Sequence, residues 1–409
     1  MNANALQAEY DRLKNQGLNL NLTRGKPSTE QVALADALDG ILDGDYAAAD
    51  GSDTRNYGGL RGIEEARAIG SVLMDVPTDN VICGGNSSLQ LMQLVVDTIA
   101  NYGLDSKPLK EVRGASVLCP IPGYDRHFVL SDSLGLRMET VPHLDTGPDM
   151  DIVERMVDTH PQVGAIWCVP KHSNPTGITY SDETVERLAK LPSRRKNGEQ
   201  PFYILWDNAY SVHDFDGFTP LSSIYEQACK HHTENRIVLF ASTSKITHAG
   251  AGISFIGGAE PVLAGIEARL STMTVGPDKV NQLRHAKFLR DKDGIQAHMR
   301  AHAAIVKPKF DVVEQVLNDQ LGNTGLASWT KPTGGYFVSL DVKPGLAAKT
   351  VQLASEAGLA LTPAGATYPH GNDPNDSNIR IAPTFGKLED IEPAVTILGV
   401  CCRLADALQ

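Results

Sequence analysis

With 409 residues and 42% hydrophobic content, the chain can bury a large core, enough for two domains or one large α/β body with an appendage. Lys and Arg number 37 against 49 Asp and Glu, a formal net charge of -12 that excludes bulk binding to nucleic acid or an anionic membrane. An anionic substrate would need a local basic site. The first residues, Met1 to Gln7, lack a basic stretch followed by an apolar one, and no run is long and apolar enough to span a bilayer. A cytoplasmic protein is expected.

In chain order, residues 1–45 carry no strand series of their own and are expected to pack with a smaller C-terminal domain. Cys83-Gly84-Gly85-Asn86-Ser87-Ser88 then opens a run with Leu91, Met92, Val95 and Ile99 at helical spacing. Apolar runs at 115–119, 163–169, 202–206, 237–240 and 253–256 are continuous rather than alternating, as strands buried on both faces should be. Between them lie helical segments such as 182–191, with Ser181 as its N-cap and acids in the first turn. Loops are expected at 103–114, 193–201 and 369–378, where Pro, Gly, Asn, Asp or basic residues cluster. Strand then helix, repeated, predicts an α/β large domain over residues 46–290 with a mainly parallel sheet flanked by helices. After about residue 290 the texture changes. Strand-like runs at 334–340 and 378–382 predict a smaller α+β domain over 291–409.

The six cysteines are scattered, without a C-x-x-C pair or zinc-type His spacing, and read as reduced, mostly buried packing residues. His231-His232 and Asp43-Gly44-Asp45 lack the company of any metal motif, so no metal is assigned.

In a parallel sheet the carboxyl ends of the strands face the ligand crevice. Val169 is followed by Lys171-His172-Ser173-Asn174-Pro175-Thr176-Gly177, Trp206 by Asp207-Asn208-Ala209-Tyr210, and Phe240 by Ser242-Thr243-Ser244-Lys245. Taken singly, Asp207 reads as a helix cap, Tyr210 as a core aromatic and Lys245 as a solvated loop residue. Together they bring an amide, a carboxylate, a phenol, hydroxyls and an amine to one edge of the sheet. The small residues Gly85, Asn86 and Ser87 at a helix start free backbone N–H groups for a phosphate. Lysine, acid, phenol and phosphate cradle are the groups that pyridoxal 5′-phosphate requires.

The series Asn174-Pro175-Thr176-Gly177, Asp207-Asn208-Ala209-Tyr210 and Ser242-Thr243-Ser244-Lys245 resembles, in order and spacing, that of fold-type I aminotransferases. Tyr57-Gly58-Gly59-Leu60-Arg61-Gly62-Ile63-Glu64-Glu65-Ala66-Arg67, Pro122-Gly123-Tyr124 and Asn378-Ile379-Arg380-Ile381 extend the resemblance over almost the whole chain. Leu22-Thr23-Arg24-Gly25-Lys26-Pro27-Ser28 and Gly84-Gly85-Asn86-Ser87-Ser88-Leu89 look most like the bacterial aspartate aminotransferase subgroup Ic.

The resemblance implies pyridoxal phosphate attached to Lys245, which also acts as acid and base. It implies that Asp207 meets the pyridine nitrogen, that Tyr124 stacks on the ring, and that Asn174 and Tyr210 meet the phenolic oxygen. It places Arg380, Asn174 and Gly25 at the substrate, with Arg380 on the α-carboxylate. Tyr57 would reach the cofactor phosphate of a second subunit, so a homodimer with shared sites is expected. The implied reaction is L-aspartate with 2-oxoglutarate giving oxaloacetate and L-glutamate. Aromatic, alanine or 2-aminoadipate transamination and a β-lyase are the alternatives within the fold. A ligand-sensing domain is the alternative outside catalysis, disfavoured because no basic winged-helix segment precedes residue 22. For a distal carboxylate the candidates are Arg24, Lys26, Arg126, Lys171 and Arg284, with Arg126 favoured for its place two residues after Tyr124. In one respect the chain departs from the family pattern. The phosphate-binding arginine expected seven or eight residues after the lysine is replaced by Gly252 and Ile253, leaving Ser242, Ser244, Tyr57 and the Gly85 to Ser87 amides as phosphate ligands.

Overall fold

A computed structural model describes residues 3–104, 106–196 and 200–409. Eight strands form one sheet in the order Val81–Cys83, Ser254–Gly258, Ile237–Ser242, Tyr203–Asp207, Val163–Cys168, Ser116–Ile121, Arg137–Leu144 and Gly147–Pro148. The five strands from Ile237–Ser242 through Arg137–Leu144 run parallel. Their continuous apolar character has a direct cause. Ile166, Ile204, Trp206 and Leu239 face one buried core, while Ala165, Trp167, Leu205 and Phe240 face another on the opposite side of the sheet. Helices Glu64–Met74 and Asp182–Lys190 cover the first face, and Ser88–Asp97 and Glu260–Leu270 the second. Ser181 caps its helix as expected, its Oγ accepting from the Thr184 N–H at 3.1 Å.

Ser254–Gly258 returns antiparallel to Ile237–Ser242, and Val81–Cys83 is antiparallel to it in turn. Residues 243–253 hold no helix, and a parallel return needs a longer crossover. Apolar runs report burial, not direction.

A separate three-stranded antiparallel sheet contains Ala327–Trp329, Val338–Val342 and Asn378–Ile381. Its core joins Leu340 and Ile379 with residues of helices Lys292–Leu321 and Leu388–Ala407. Leu6, Tyr10 and Leu13 of the first helix, Ala3–Lys14, belong to this same core, and Leu20–Asn21 pairs with Leu359–Ala360. Helix Lys292–Leu321 joins the two bodies, with Ile295 and Met299 in one core and Val306 to Leu321 contributing to the other.

The apolar run at 334–340 is strand only from Val338. Gly334 lies so close to His172 and the His213 carbonyl that a side chain there would collide, and Gly335 takes φ 77°. That stretch is a close backbone crossing rather than a ladder. Short 3-10 turns occupy part of each expected loop, at Leu109–Glu111, Leu191–Arg194 and Pro369–Gly371. Positions 105 and 197–199 of those loops lie outside the described residues.

Candidate active site

Parallel register sets the strand ends level, with Cys168 opposite Trp206 and Asp207 opposite Phe240. The segments that follow therefore emerge together. Asp207, the last residue of its strand, is buried, and its Oδ2 lies 3.1 Å from His127 Nε2. His127 stacks on Trp167 at 4.0 Å with rings 7° apart, and Trp167 Nε1 donates to Ser131 Oγ at 3.0 Å. Tyr124 meets His127 edge-on at 5.0 Å. Neither His127 nor Trp167 stood out in the sequence. One signal was there: His127 follows Tyr124 by three positions at the start of helix Asp125–Ser133, spacing that keeps both on one face.

Lys245 sits in the turn after Ile237–Ser242, its Nζ 4.8 Å from the centre of the buried Tyr210 ring. Loss of hydration lowers its pKa from the ordinary lysine value, with the Asp207 carboxylate pulling the other way. A larger share of neutral amine is what a nucleophile or base requires.

Arg380 is largely enclosed. Its Nη1 donates to Asn174 Oδ1 at 3.3 Å, and its Nη2 to the Thr23 carbonyl at 3.2 Å and Thr362 Oγ1 at 3.1 Å. Among the described residues its Nε has no hydrogen-bond partner, and the guanidinium lies 4.9 Å from the centre of the Phe337 ring. A Cβ at Gly25 would run into that same ring, so Gly25 and Arg380 share one wall. Asp125 Oδ1 stands 3.7 Å from Arg380 Nη1, a carboxylate already near the guanidinium.

Ser87 is the N-cap of helix Ser88–Asp97, and a Cβ at Gly85 would meet nothing within 4 Å. Asn86 Nδ2 donates to the Gly250 carbonyl at 2.9 Å, Ser244 Oγ to the Asn86 carbonyl at 3.5 Å, and Ser242 Oγ to Ser244 Oγ at 3.2 Å. The glycine-rich helix start and the lysine turn are thus tied together by hydrogen bonds into one polar cluster whose hydroxyls and helix N-terminus suit an anion. Arginine has no place at the two expected positions. Ile253 is a buried core residue, and a Cβ at Gly252 would lie 2.7 Å from Thr243 Oγ1.

Tyr57 stands away from this cluster, 82% exposed. The buried Lys279 fixes its loop by donating to the carbonyls of Asn56 at 2.7 Å and Gly58 at 2.6 Å. Among the distal-carboxylate candidates, Lys171 is consumed by Asp214 Oδ2 at 2.7 Å and by the carbonyls of Ser211 and Thr219. Lys26 lies over Phe385 at 3.9 Å. Arg24 and Arg284 are exposed. Arg126 is also exposed, with Asp125 Oδ2 3.8 Å away.

The family model for aspartate amino-transferase matches residues 2–409. An aspartate aminotransferase of Corynebacterium glutamicum is 42% identical over 406 residues, covering 98% of this chain and 93% of the relative. The crystal structure of an aspartate transaminase from that organism superposes with a TM-score of 0.95 at 42% identity, covering 99% of this chain and 96% of the other. An α-aminoadipate aminotransferase from Thermus thermophilus, solved with N-(5′-phosphopyridoxyl)-L-leucine, shares the fold at a TM-score of 0.79 and 21% identity, with 98% and 96% of the two chains covered. The chain belongs to the aspartate aminotransferase family and is a fold-type I aminotransferase.

Proposed function

We propose that this aminotransferase uses pyridoxal 5′-phosphate to move the amino group of L-aspartate to 2-oxoglutarate, as a member of subgroup Ic. The observation that carries the reading is one cluster: an amine of lowered pKa at Lys245, the buried Asp207 carboxylate, and Arg380 with an unpartnered Nε. The donor set fits the cofactor. An amine can hold its aldehyde, a buried acid can face its ring nitrogen, and the polar cluster at Gly85, Asn86, Ser87, Ser242 and Ser244, with open space at Gly85, can take its phosphate. When bound, the cofactor supplies an electron sink for the charge left at the substrate Cα.

The remaining steps belong to the protein. Lys245 would hold the cofactor and, with its amine free, would take the proton from the substrate Cα and deliver it to the cofactor carbon on the other side of the substrate nitrogen. Asp207, oriented by His127, would meet the ring nitrogen and keep it protonated. Tyr124 would stack on the ring, while Asn174 and Tyr210 would donate to its phenolic oxygen. Arg380 grips the α-carboxylate beside Gly25, and its bond to Asn174 Oδ1 links substrate and cofactor recognition. Arg126 is the proposed partner of the distal carboxylate, and its exposure leaves it free to turn inward.

The exposed Tyr57, on a loop pinned by Lys279, is suited to extend into a second copy, giving a homodimer with shared sites. The N-terminal segment 1–45, large domain 46–290 and small domain 291–409 would then place the cleft between the two cores. The test is a panel of amino donors with 2-oxoglutarate as fixed acceptor. Aspartate should give the highest kcat/KM. Preference for alanine, an aromatic amino acid or 2-aminoadipate, or release of pyruvate and ammonia without acceptor, would replace the reading.

A further inference from the structure

Behind Lys245 lies a polar cluster with no role in the reaction as described. The carbonyls of Lys245 and Ile246 receive no backbone N–H among the described residues. Side chains hold them instead. His213 Nε2 is 3.2 Å and the Tyr336 hydroxyl a long 3.4 Å from the Lys245 carbonyl. His298 Nε2 and His302 Nε2 lie 2.6 Å and 2.9 Å from that of Ile246. These four side chains come from the segment after Tyr203–Asp207, from helix Lys292–Leu321 and from the crossing at Gly335.

The proton positions follow from Gln31, in the short helix Thr29–Ala33. Its Oε1 accepts from the Ser28 N–H at 3.0 Å in a capping box, which settles which end of the amide is nitrogen. Its Nε2 then faces His302 Nδ1 at 3.2 Å and the Tyr336 oxygen at 2.9 Å, one amide hydrogen for each. His302 Nδ1 must accept, so its proton is on Nε2, which lies 2.9 Å from the Ile246 carbonyl and 3.1 Å from His298 Nε2. Tyr336 oxygen also accepts, so its own hydrogen is left for the Lys245 carbonyl. Burial, reinforced by His298, lowers the His302 pKa to about 4 and keeps the ring neutral.

We propose that Gln31 sets the hydrogen-bond polarity of this clamp, so that Gln31, His302 and Tyr336 act as positioning residues for the catalytic lysine. They hold the Lys245–Ile246 backbone still while the amine moves between cofactor and substrate. The inference rests on the reading of Lys245 as the catalytic lysine. It ties an N-terminal helix, 214 positions away in sequence, to the reacting amine.

The test is Gln31→Glu, which keeps the acceptor for Ser28 but removes the donor. Facing a carboxylate, His302 must protonate Nδ1 while Nε2 still serves Ile246, and Tyr336 turns toward the carboxylate. Side-chain 15N spectra of the apo-protein at neutral pH should show His302 neutral with hydrogen on Nε2 in the wild type, and doubly protonated in the variant. In the holoenzyme kcat should fall by about threefold or more, the loss of one hydrogen bond, with KM for the amino donor changed by less than about twofold. Tyr336→Phe should lower kcat similarly, and the double variant should be less than additive because both act through one hydroxyl. A wild-type His302 protonated on Nδ1, a neutral His302 in Gln31→Glu, fully additive kcat losses, or an effect on KM alone would each overturn the proposal. If Gln31→Glu does not fold, the wild-type spectrum and the kcat-against-KM split of Tyr336→Phe decide. Full turnover by Lys245→Ala would instead refute the lysine reading and leave the apo-protein spectrum standing.

Discussion

Acid should weaken the fold through His302 in a way that one substitution removes. The imidazole is 2% exposed, and burial together with His298 brings its pKa from 6.5 to about 4. The unfolded chain therefore takes up a proton near pH 6.5 that the folded chain refuses until about pH 4. The stability this group contributes is fully present above pH 6.5 and is lost as pH falls toward 4. Between pH 7 and pH 5 the loss is about 2 kcal/mol, from RT ln of the ratio of the unfolded and folded protonation terms. His302→Gln retains an N–H donor for the Ile246 carbonyl but cannot titrate. Urea unfolding of the apo-protein at the two pH values, followed by tryptophan fluorescence, gives the assay. The variant should lose about 2 kcal/mol less than the wild type over that interval. His172, His213, His285 and His298 are lowered in the same direction but are common to both proteins. Equal pH dependence in the two would refute the burial argument for His302.

Asp125→Asn removes the carboxylate 3.7 Å from Arg380, a partly solvated contact worth about 0.5 kcal/mol, so KM for the amino donor should fall about twofold; an unchanged or higher KM would mean that Asp125 does not compete with substrate. Asp207→Ala leaves His127 without its partner and the ring nitrogen without an acid, and single-turnover amino transfer should slow by about a thousandfold. Gly252→Arg should destabilise by about 1–3 kcal/mol without tightening cofactor binding, because its Cβ would lie 2.7 Å from Thr243 Oγ1. A cofactor titration and a urea midpoint check both halves of that expectation.

Strand positions were legible because burial on both faces leaves uninterrupted apolar runs, and Ile204 and Leu205 demonstrate the alternation between cores that produces them. Strand direction was not, since it depends on how far the chain must travel to return. The groups after strand ends, Asn174, Asp207, Tyr210 and Lys245, were legible as a set because parallel register brings them level. His127 escaped notice because its partner Asp207 is 80 positions away, and its three-residue spacing from Tyr124 marks a shared helix face without naming that partner. The clamp was hidden for the same reason: Gln31 meets His302 across 271 positions and Tyr336 across 305. The absence of arginine at Gly252 and Ile253 was plain in the sequence, but its cause, the tight turn against Thr243, lies in the folded backbone.

Borohydride reduction of the holoenzyme, followed by proteolysis and mass spectrometry, tests the central claim most directly, because it locks the cofactor onto whichever amine carries it. The phosphopyridoxyl group should appear on Lys245 alone, and disappear from the digest when aspartate is added before reduction and no keto acid is present. Labelling of a different lysine, or labelling of Lys245 that aspartate does not prevent, would contradict the account.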